Sequence, residues 1–519
     1  MKPRHWMFGV ACALMMAPAM AASPSMATID TAFEDAVARY RLPGLAVGIV
    51  EDGRVTYMRT SGERVAGSGE KIDADTLFKV ASNTKAMTTA LLARLVDQGK
   101  LRWDDPVVRH LPQFRMHDAW VSQEMQVRDL LIHNSGLRAG AGDLMLWPEP
   151  NAFARDDIIH GLAYLKPLYS FRSRYAYDNL LYIVAGEVAA AAGGASYETL
   201  LQREVFEPLG MKRCRVGQWN RDEVGNVAQP HMRQGDNNVP VRADGEVIPA
   251  TTMAAAGGVR CSLDDMLAWV QAWLREEPAQ SSWLSRDQRR ALWSAQMPMP
   301  LSDRQRRWDN AHYSAYGYGW RLSDVDGTFK VAHTGTLMGM YSAVTLLPDK
   351  HVGFVIMANG EAEEARTVLT QVLVKHFTAP ADARKVADYA RDLDRERADT
   401  PPAKRAPDTS ARAVAAIEAM RPWLGHYRDP WFGEVSVCPG NSGHVRFTSL
   451  KSPMLSGVVQ NVGGRWLVDW DDASVDAEAW LDFASHGQTV SLNMSKVDPE
   501  ADFSYDYEDL AFTRTGRCN

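Results

Sequence analysis

Two spacings of apolar residues alternate along this chain, and the switches between them predict its layout. Residues 29–40 place Ile29, Phe33, Ala36, Val37 and Tyr40 on one stripe, the spacing of an amphipathic helix. Residues 44–50 and 55–59 read as strands around Asp52-Gly53, a hairpin signal because both residue types tolerate a positive φ. Helical spacing takes over near 82–98, 126–132, 178–192 and 264–274. Three further strands follow at 329–333, 340–347 and 352–358, with Pro348-Asp349-Lys350 turning the last pair. Two strands, a helical insert and three strands predict an α+β domain over 28–377: one antiparallel sheet with helices on both faces.

From 378 to 412 the chain is rich in Arg, Asp, Ala and Pro and nearly free of large apolar residues. A charged helix running into a linker at Thr400-Pro401-Pro402 is expected there. Residues 413–519 then break into short alternating segments at 425–428, 432–438, 443–448, 454–460, 465–470, 478–484, 488–494 and 508–514. Turns such as Pro439-Gly440 and Gly463-Gly464 divide them. About eight strands at this spacing predict a small antiparallel β-barrel.

At the N-terminus, Lys2, Arg4 and His5 precede an apolar run from Trp6 to Ala17, and Ala19-Met20-Ala21 forms a small-x-small cleavage site. Residues 1–21 therefore read as a secretory signal peptide, and the mature chain as periplasmic or secreted. No later stretch is apolar for long enough to span a bilayer, so no stable membrane insertion is expected. The net charge of −7 argues against a nucleic-acid binder, and 519 residues allow two or three domains. Beyond the signal lie Cys214, Cys261, Cys438 and Cys518. Four cysteines allow three pairings; grouping by domain favours Cys214 with Cys261 and Cys438 with Cys518, without deciding it. They lack zinc-ligand spacing, and no metal or organic cofactor is expected.

The chemistry gathers in three stretches. Ser82-Asn83-Thr84-Lys85 opens the helix 82–98, and residues three apart share a helix face, so the hydroxyl and the amine can meet. A helix start also offers free N–H groups to a developing oxyanion. Ser-x-x-Lys is weak by itself, expected about once or twice in such a chain by composition. Ser68-Gly69-Glu70-Lys71 is a second match, in a Gly-rich stretch with no apolar periodicity to hold its side chains together. The plain alternative for Ser82 is a helix cap. Tyr177-Asp178-Asn179, leading into the third helix, offers a phenol and an amide, or merely a capped helix start. His333-Thr334-Gly335-Thr336 ends a strand and begins a Gly-containing turn, where the Thr336 N–H would be a second oxyanion donor and Gly335 would admit substrate to the main chain; the plain alternative for His333 is a satisfied strand-end histidine.

Together these three resemble the S-x-x-K, Y-x-N and K-T-G elements of the serine β-lactamase and penicillin-binding protein superfamily. The chain looks most similar to the branch of class C β-lactamases, D-aminopeptidases and related esterases. Val127-Arg128-Asp129-Leu130-Leu131-Ile132-His133-Asn134-Ser135-Gly136-Leu137 resembles that branch's LLTHTSGL segment. Ala256-Gly257-Gly258-Val259 resembles its AGGL turn, and Tyr316-Gly317-Tyr318-Gly319-Trp320 its YGLGW. The tail 413–519 looks like an appended lipocalin-like domain, marked by Asp429-Pro430-Trp431-Phe432-Gly433 and the closing Asp509-Leu510-Ala511-Phe512-Thr513-Arg514.

The resemblance implies Ser82 as acylated nucleophile, Lys85 and Tyr177 handling its proton, Asn179, His333, Gly335 and Thr336 binding substrate, and the N–H groups of Ser82 and Thr336 as oxyanion hole. Two departures stand out. His333 occupies the place of a lysine in the family's β-lactamases, so less positive charge faces a substrate carboxylate near neutral pH. Phe171-Arg172-Ser173-Arg174 replaces a Pro-Gly turn and adds two charges, suited to an acidic substrate or simply to solvent. The leading expectation is a hydrolase of amide or ester bonds in a small-molecule or peptide substrate, such as a D-amino-acid peptide, with oligomerisation open. The rival is a noncatalytic sensor that binds without turnover. A Ser-His-Asp α/β-hydrolase is disfavoured because no G-x-S-x-G elbow is present. The barrel reads either as a lipid-binding module or as a part that shapes the cleft.

Overall fold

A computed structural model describes residues 26–275, 283–399, 401 and 405–518. The signal peptide expected at 1–21, and residues 400 and 402–404 of the linker, lie outside the described residues. The first large sheet comprises β1 (Gly44–Glu51), β2 (Arg54–Gly62), β3 (Met297–Pro298), β4 (Ser314–Tyr316), β5 (Arg321–Val325), β6 (Thr328–Leu337), β7 (Met340–Leu347) and β8 (Val352–Ala358). Its order is β2-β1-β8-β7-β6-β5-β4-β3, antiparallel throughout. The hairpin turn has positive φ at both Asp52 and Gly53, as its sequence requires.

Central strands β1 and β8 are buried almost along their whole length, because helices cover both faces. On one side α1 (Met26–Tyr40) packs with Ile29 and Phe33 against Leu45, Phe354 and Leu369. Opposite lie α2 (Thr84–Asp97), α3 (Leu180–Gly193) and α4 (Leu263–Leu274), whose apolar residues join the larger core. The helix α5 (Glu363–Thr378) ends the domain, and the charged segment folds as α6 (Val386–Ala398), anchored by Tyr389 and Leu393. Among the described residues, no single helix is long and apolar enough to cross a membrane.

Several expectations need correction. The sheet gains β3, β4 and β5, which are short and lack a strong alternating pattern. The segment 126–132 is a 3-10 turn, Val127–Leu131, rather than an α-helix. The strand with His333 does not end there: Gly335 and Thr336 continue in register opposite Ser342 and Tyr341.

The second sheet comprises β9 (Gly425–Asp429), β10 (Gly433–Pro439), β11 (Val445–Ser449), β12 (Ser456–Val462), β13 (Arg465–Trp470), β14 (Ala479–His486), β15 (Thr489–Lys496) and β16 (Ala511–Gly516), with the two-residue strand Ala413–Val414 added along β12. Pairing of β12 with both β11 and β13 closes these eight strands into an antiparallel barrel. Tyr427, Phe447, Trp470, Phe512 and Leu492 are buried within it. Asp429 accepts the backbone N–H groups of Trp431 and Phe432, which explains the polar start of that aromatic turn. Disulfides join Cys214 to Cys261 and Cys438 to Cys518, the pairing that grouping by domain favoured.

Candidate active site

The three motif stretches meet at the start of α2. Ser82 sits in a 3-10 turn, Ala81–Asn83, that leads into the helix, and Ala81 holds a positive φ. Neither this turn nor the helix has a side-chain cap, so the capping alternative does not describe Ser82. Instead Lys85 Nζ donates to Ser82 Oγ at 3.1 Å, to Asn179 Oδ1 at 2.7 Å and to the Ala256 carbonyl at 2.9 Å. Lys85 is fully buried, and burial draws its pKa down to about 7 against pulls in both directions from Asp143, Arg321 and Asp178. A neutral amine has two N–H bonds. Asn179 Oδ1 and Ala256 O use both, which leaves the lone pair facing the Ser82 hydroxyl.

Tyr177 closes the other side. The Lys85 ammonium position lies 4.9 Å from its ring centre, and Ser82 is a hydrogen-bond partner of its phenol. Burial pushes that phenol up to about 12, so it stays protonated near neutral pH. Asn179 is turned into the site: its Nδ2 donates to Asp143 at 2.7 Å. Helix capping falls to its neighbour Asp178, which accepts from the Leu181 N–H. The segment resembling LLTHTSGL is the floor under this loop. His133 Nδ1 accepts from the Asp178 N–H at 3.0 Å, its ring lies 4.3 Å from that of Tyr177, and Ser135 Oγ donates to Asp178.

The third stretch lies on β6. His333 is buried, with Nε2 against the Tyr316 hydroxyl at 2.9 Å and Nδ1 against the Thr334 carbonyl at 2.8 Å. Burial and the nearby cations Arg321 and Lys85 hold its imidazole well below the usual range, so it is neutral. Gly335 makes room for the nucleophile's own turn: a Cβ there would overlap the Val80 carbonyl and Ser342 Oγ. That close approach sets Thr336, which is exposed, beside the turn carrying Ser82. Gly319, with φ of 74°, lets its loop press on the Lys85 carbonyl.

Sequence reasoning missed Arg321, Asp143 and Ser504. Arg321 on β5 donates to Thr334 Oγ1 at 2.8 Å and lies 5.8 Å from the Tyr177 ring centre. Its electrostatic partners are the phenols of Tyr175, Tyr177 and Tyr316, and among the described residues no carboxylate pairs with it. Positive charge that His333 does not supply therefore stands here. Of the two loop cations, Arg172 is tied to Asp129 and Arg174 lies over Tyr169. The second Ser-x-x-Lys match comes apart: Lys71 pairs with Glu63, and Ser68 accepts from the Glu70 N–H. Among the described residues no cluster of three or more His, Cys, Asp or Glu side chains is arranged to hold a metal ion.

A helix-flanked antiparallel sheet with Ser-x-x-Lys, Tyr-x-Asn and His-Thr-Gly at one cleft has the architecture of the penicillin-binding proteins and serine β-lactamases. The chain belongs to the Beta-lactamase family, whose model matches residues 29–377, and so to the serine hydrolases of that fold. It is 27% identical to the unguisins hydrolase ungD' of Aspergillus campestris, over 65% of this chain and 62% of that one. It is 23% identical to protein flp of Staphylococcus aureus, over 65% and 64%. Penicillin-binding protein 4 of Amycolatopsis lactamdurans is 25% identical over 62% and 82%. The matched stretch spans less than two thirds of the first two relatives. The octameric penicillin-binding protein homologue from Pyrococcus abyssi shares the fold, with a TM-score of 0.58 at 17% identity over 94% of this chain and 100% of that one.

Proposed function

We propose that the protein is an exported serine hydrolase that cleaves amide or ester bonds through an acyl-enzyme. The observation that carries this reading is Lys85: buried, near neutrality in pKa, and with two fixed acceptors that leave its lone pair for Ser82. Ser82 Oγ bonds to the substrate carbonyl carbon as its proton passes to Lys85 Nζ. The oxyanion is held by the backbone N–H groups of Ser82 and Thr336. Collapse of the adduct breaks the bond to the leaving group, which takes a proton from Tyr177 or Lys85. Water then attacks the acyl carbon, gives up its proton by the same route and frees Ser82. Arg321 faces a negative group of the substrate, which favours a carboxylate near the scissile bond, as in a peptide or a β-lactam. The N-terminal segment 1–21 and the two disulfides support a periplasmic or secreted location.

A second reading, binding without turnover, is favoured by the relative named penicillin-binding protein 4. Intact mass of wild type and Ser82→Ala, after a fluorophosphonate and separately a penicillin, tests both. A fluorophosphonate adduct absent from Ser82→Ala supports the nucleophile. A penicillin adduct that persists favours the sensor, and one that disappears with time favours hydrolysis. Absence of any adduct overturns the hydrolase.

A further inference from the structure

The segment between β15 and β16 leaves the barrel and reaches the cleft of the first domain. Asp506 accepts the N–H groups of Gly142 at 2.6 Å and Leu144 at 3.0 Å, gripping the turn on which Asp143 stands. Phe503 packs edge-on against Tyr177, ring centres 5.7 Å apart. A Cβ on Gly140 would collide with the Phe503 carbonyl, so that residue's lack of a side chain admits the barrel segment. Between these contacts, Ser504 Oγ donates to Asp143 Oδ2 at 2.8 Å. The same oxygen takes the Asn179 Nδ2 proton at 2.7 Å, while Asp143 Oδ1 has no partner.

These bonds have a direction. Asp143 Oδ2 accepts from both Ser504 Oγ and Asn179 Nδ2, and the amide held this way turns its oxygen toward Lys85 Nζ. That oxygen is one of the two acceptors that aim the lysine lone pair. We propose that Ser504, carried by the barrel, is a positioning residue that acts through Asp143 and Asn179 to aim Lys85 at Ser82. The barrel thereby completes the active site. This rests on the reading of Lys85 as base to Ser82. The groups facing Lys85 from neighbouring elements are Tyr177, Tyr182, His133, His333, Asp143, Asp178 and Arg321, and Asp143 among them is bound by the barrel.

The test uses the full chain and the kinetics of fluorophosphonate labelling, with kinact and KI measured separately from pH 5.5 to 9.5. At the alkaline plateau Lys85 is neutral, so kinact there reports aim rather than charge. Ser504→Ala is expected to lower plateau kinact about tenfold with KI unchanged, since small misplacements at a reacting centre have effects of this order or more. Ser504→Thr, which keeps the donor, restores most of it. Ser504→Cys, close to serine in size but a weak donor, loses it again and serves if the alanine variant does not fold. Wild-type kinact in a folded Ser504→Ala or Ser504→Cys overturns the proposal, as does equal loss in Ser504→Thr. If wild type is labelled at Ser82 while the Ser504 variants match it, the relay alone fails. If wild type is not labelled at Ser82, the hydrolase reading itself fails.

Discussion

The buried lysine predicts a pH profile for acylation. Burial lowers Lys85 from its ordinary 10.5 to about 7, a difference worth about 5 kcal/mol in favour of the neutral amine. The base works unprotonated, so the rate is full above its pKa and is lost as pH falls through it. Labelling of Ser82 by a fluorophosphonate is expected to be half-maximal near pH 7, about a tenth of maximal one unit lower, and flat above pH 8. Arg321 pushes the lysine down, so Arg321→Gln moves the midpoint to higher pH. Asp178 shares the window, since burial raises it to about 6. Asp178→Asn separates the two: it removes any break from the carboxyl and, by taking away a negative charge, moves the lysine break slightly lower. Burial draws His133 and His333 well below the usual imidazole range, so any break from them lies on the acid side of the lysine's. A rate independent of pH between 5.5 and 8.5 would refute the assignment. So would a tenfold climb per pH unit up to pH 10, the signature of Tyr177 as base with its phenol at about 12.

Two structural predictions follow from the packing around the nucleophile. Gly335→Ala drives a Cβ into the Val80 carbonyl and should cost about 1–3 kcal/mol, read as a thermal midpoint several degrees lower, with labelling of Ser82 reduced at least tenfold. An unchanged midpoint and labelling rate would show that β6 does not press on that turn. The Cys438–Cys518 bridge closes 80 residues of the barrel and the Cys214–Cys261 bridge 47 in the first domain. Each Cys→Ser pair should lower stability by about 4 kcal/mol in denaturant unfolding, and wild-type midpoints would argue against the bridges.

What could be read from the sequence divides along physical lines. Ser82 and Lys85 were legible because Ser-x-x-Lys at a helix start is accompanied by Tyr177-Asp178-Asn179 and His333-Thr334-Gly335, and the hairpin at Asp52-Gly53 because its turn demands particular residues. The barrel was legible from alternation, since each strand has one buried face. Strands β3 to β5 were hidden: two or three residues at the sheet edge carry too little period, and β5 carries the polar residues Arg321, Ser323 and Asp324. Gly335 was read as an opening for substrate, while its space is occupied by Val80 and Ala81, a contact between segments some 250 residues apart. Asp143 and Ser504 meet across 361 residues, and nothing local to either marks the pairing.

The charges around Ser82 explain why such remote residues belong to the site. His133 and His333 are neutral, Tyr177 keeps its proton, and burial raises the Asp143 carboxyl well above its usual range while the bonds from Ser504 and Asn179 oppose that rise. Lys85 is poised between its two forms, and Asp178 is engaged with Ser135 and the start of α3. Arg321 is then a cation on the β6 side of the nucleophile with no carboxylate partner among the described residues. A cleft in which burial opposes the ionisation of its own carboxyls favours an anionic substrate and the oxyanion formed from it. Neutral groups, however, are aimed only by hydrogen bonds and packing, since no strong ion pair holds them in place. Asn179, Asp143 and Ser504 supply those bonds, and the last of them is drawn from the barrel.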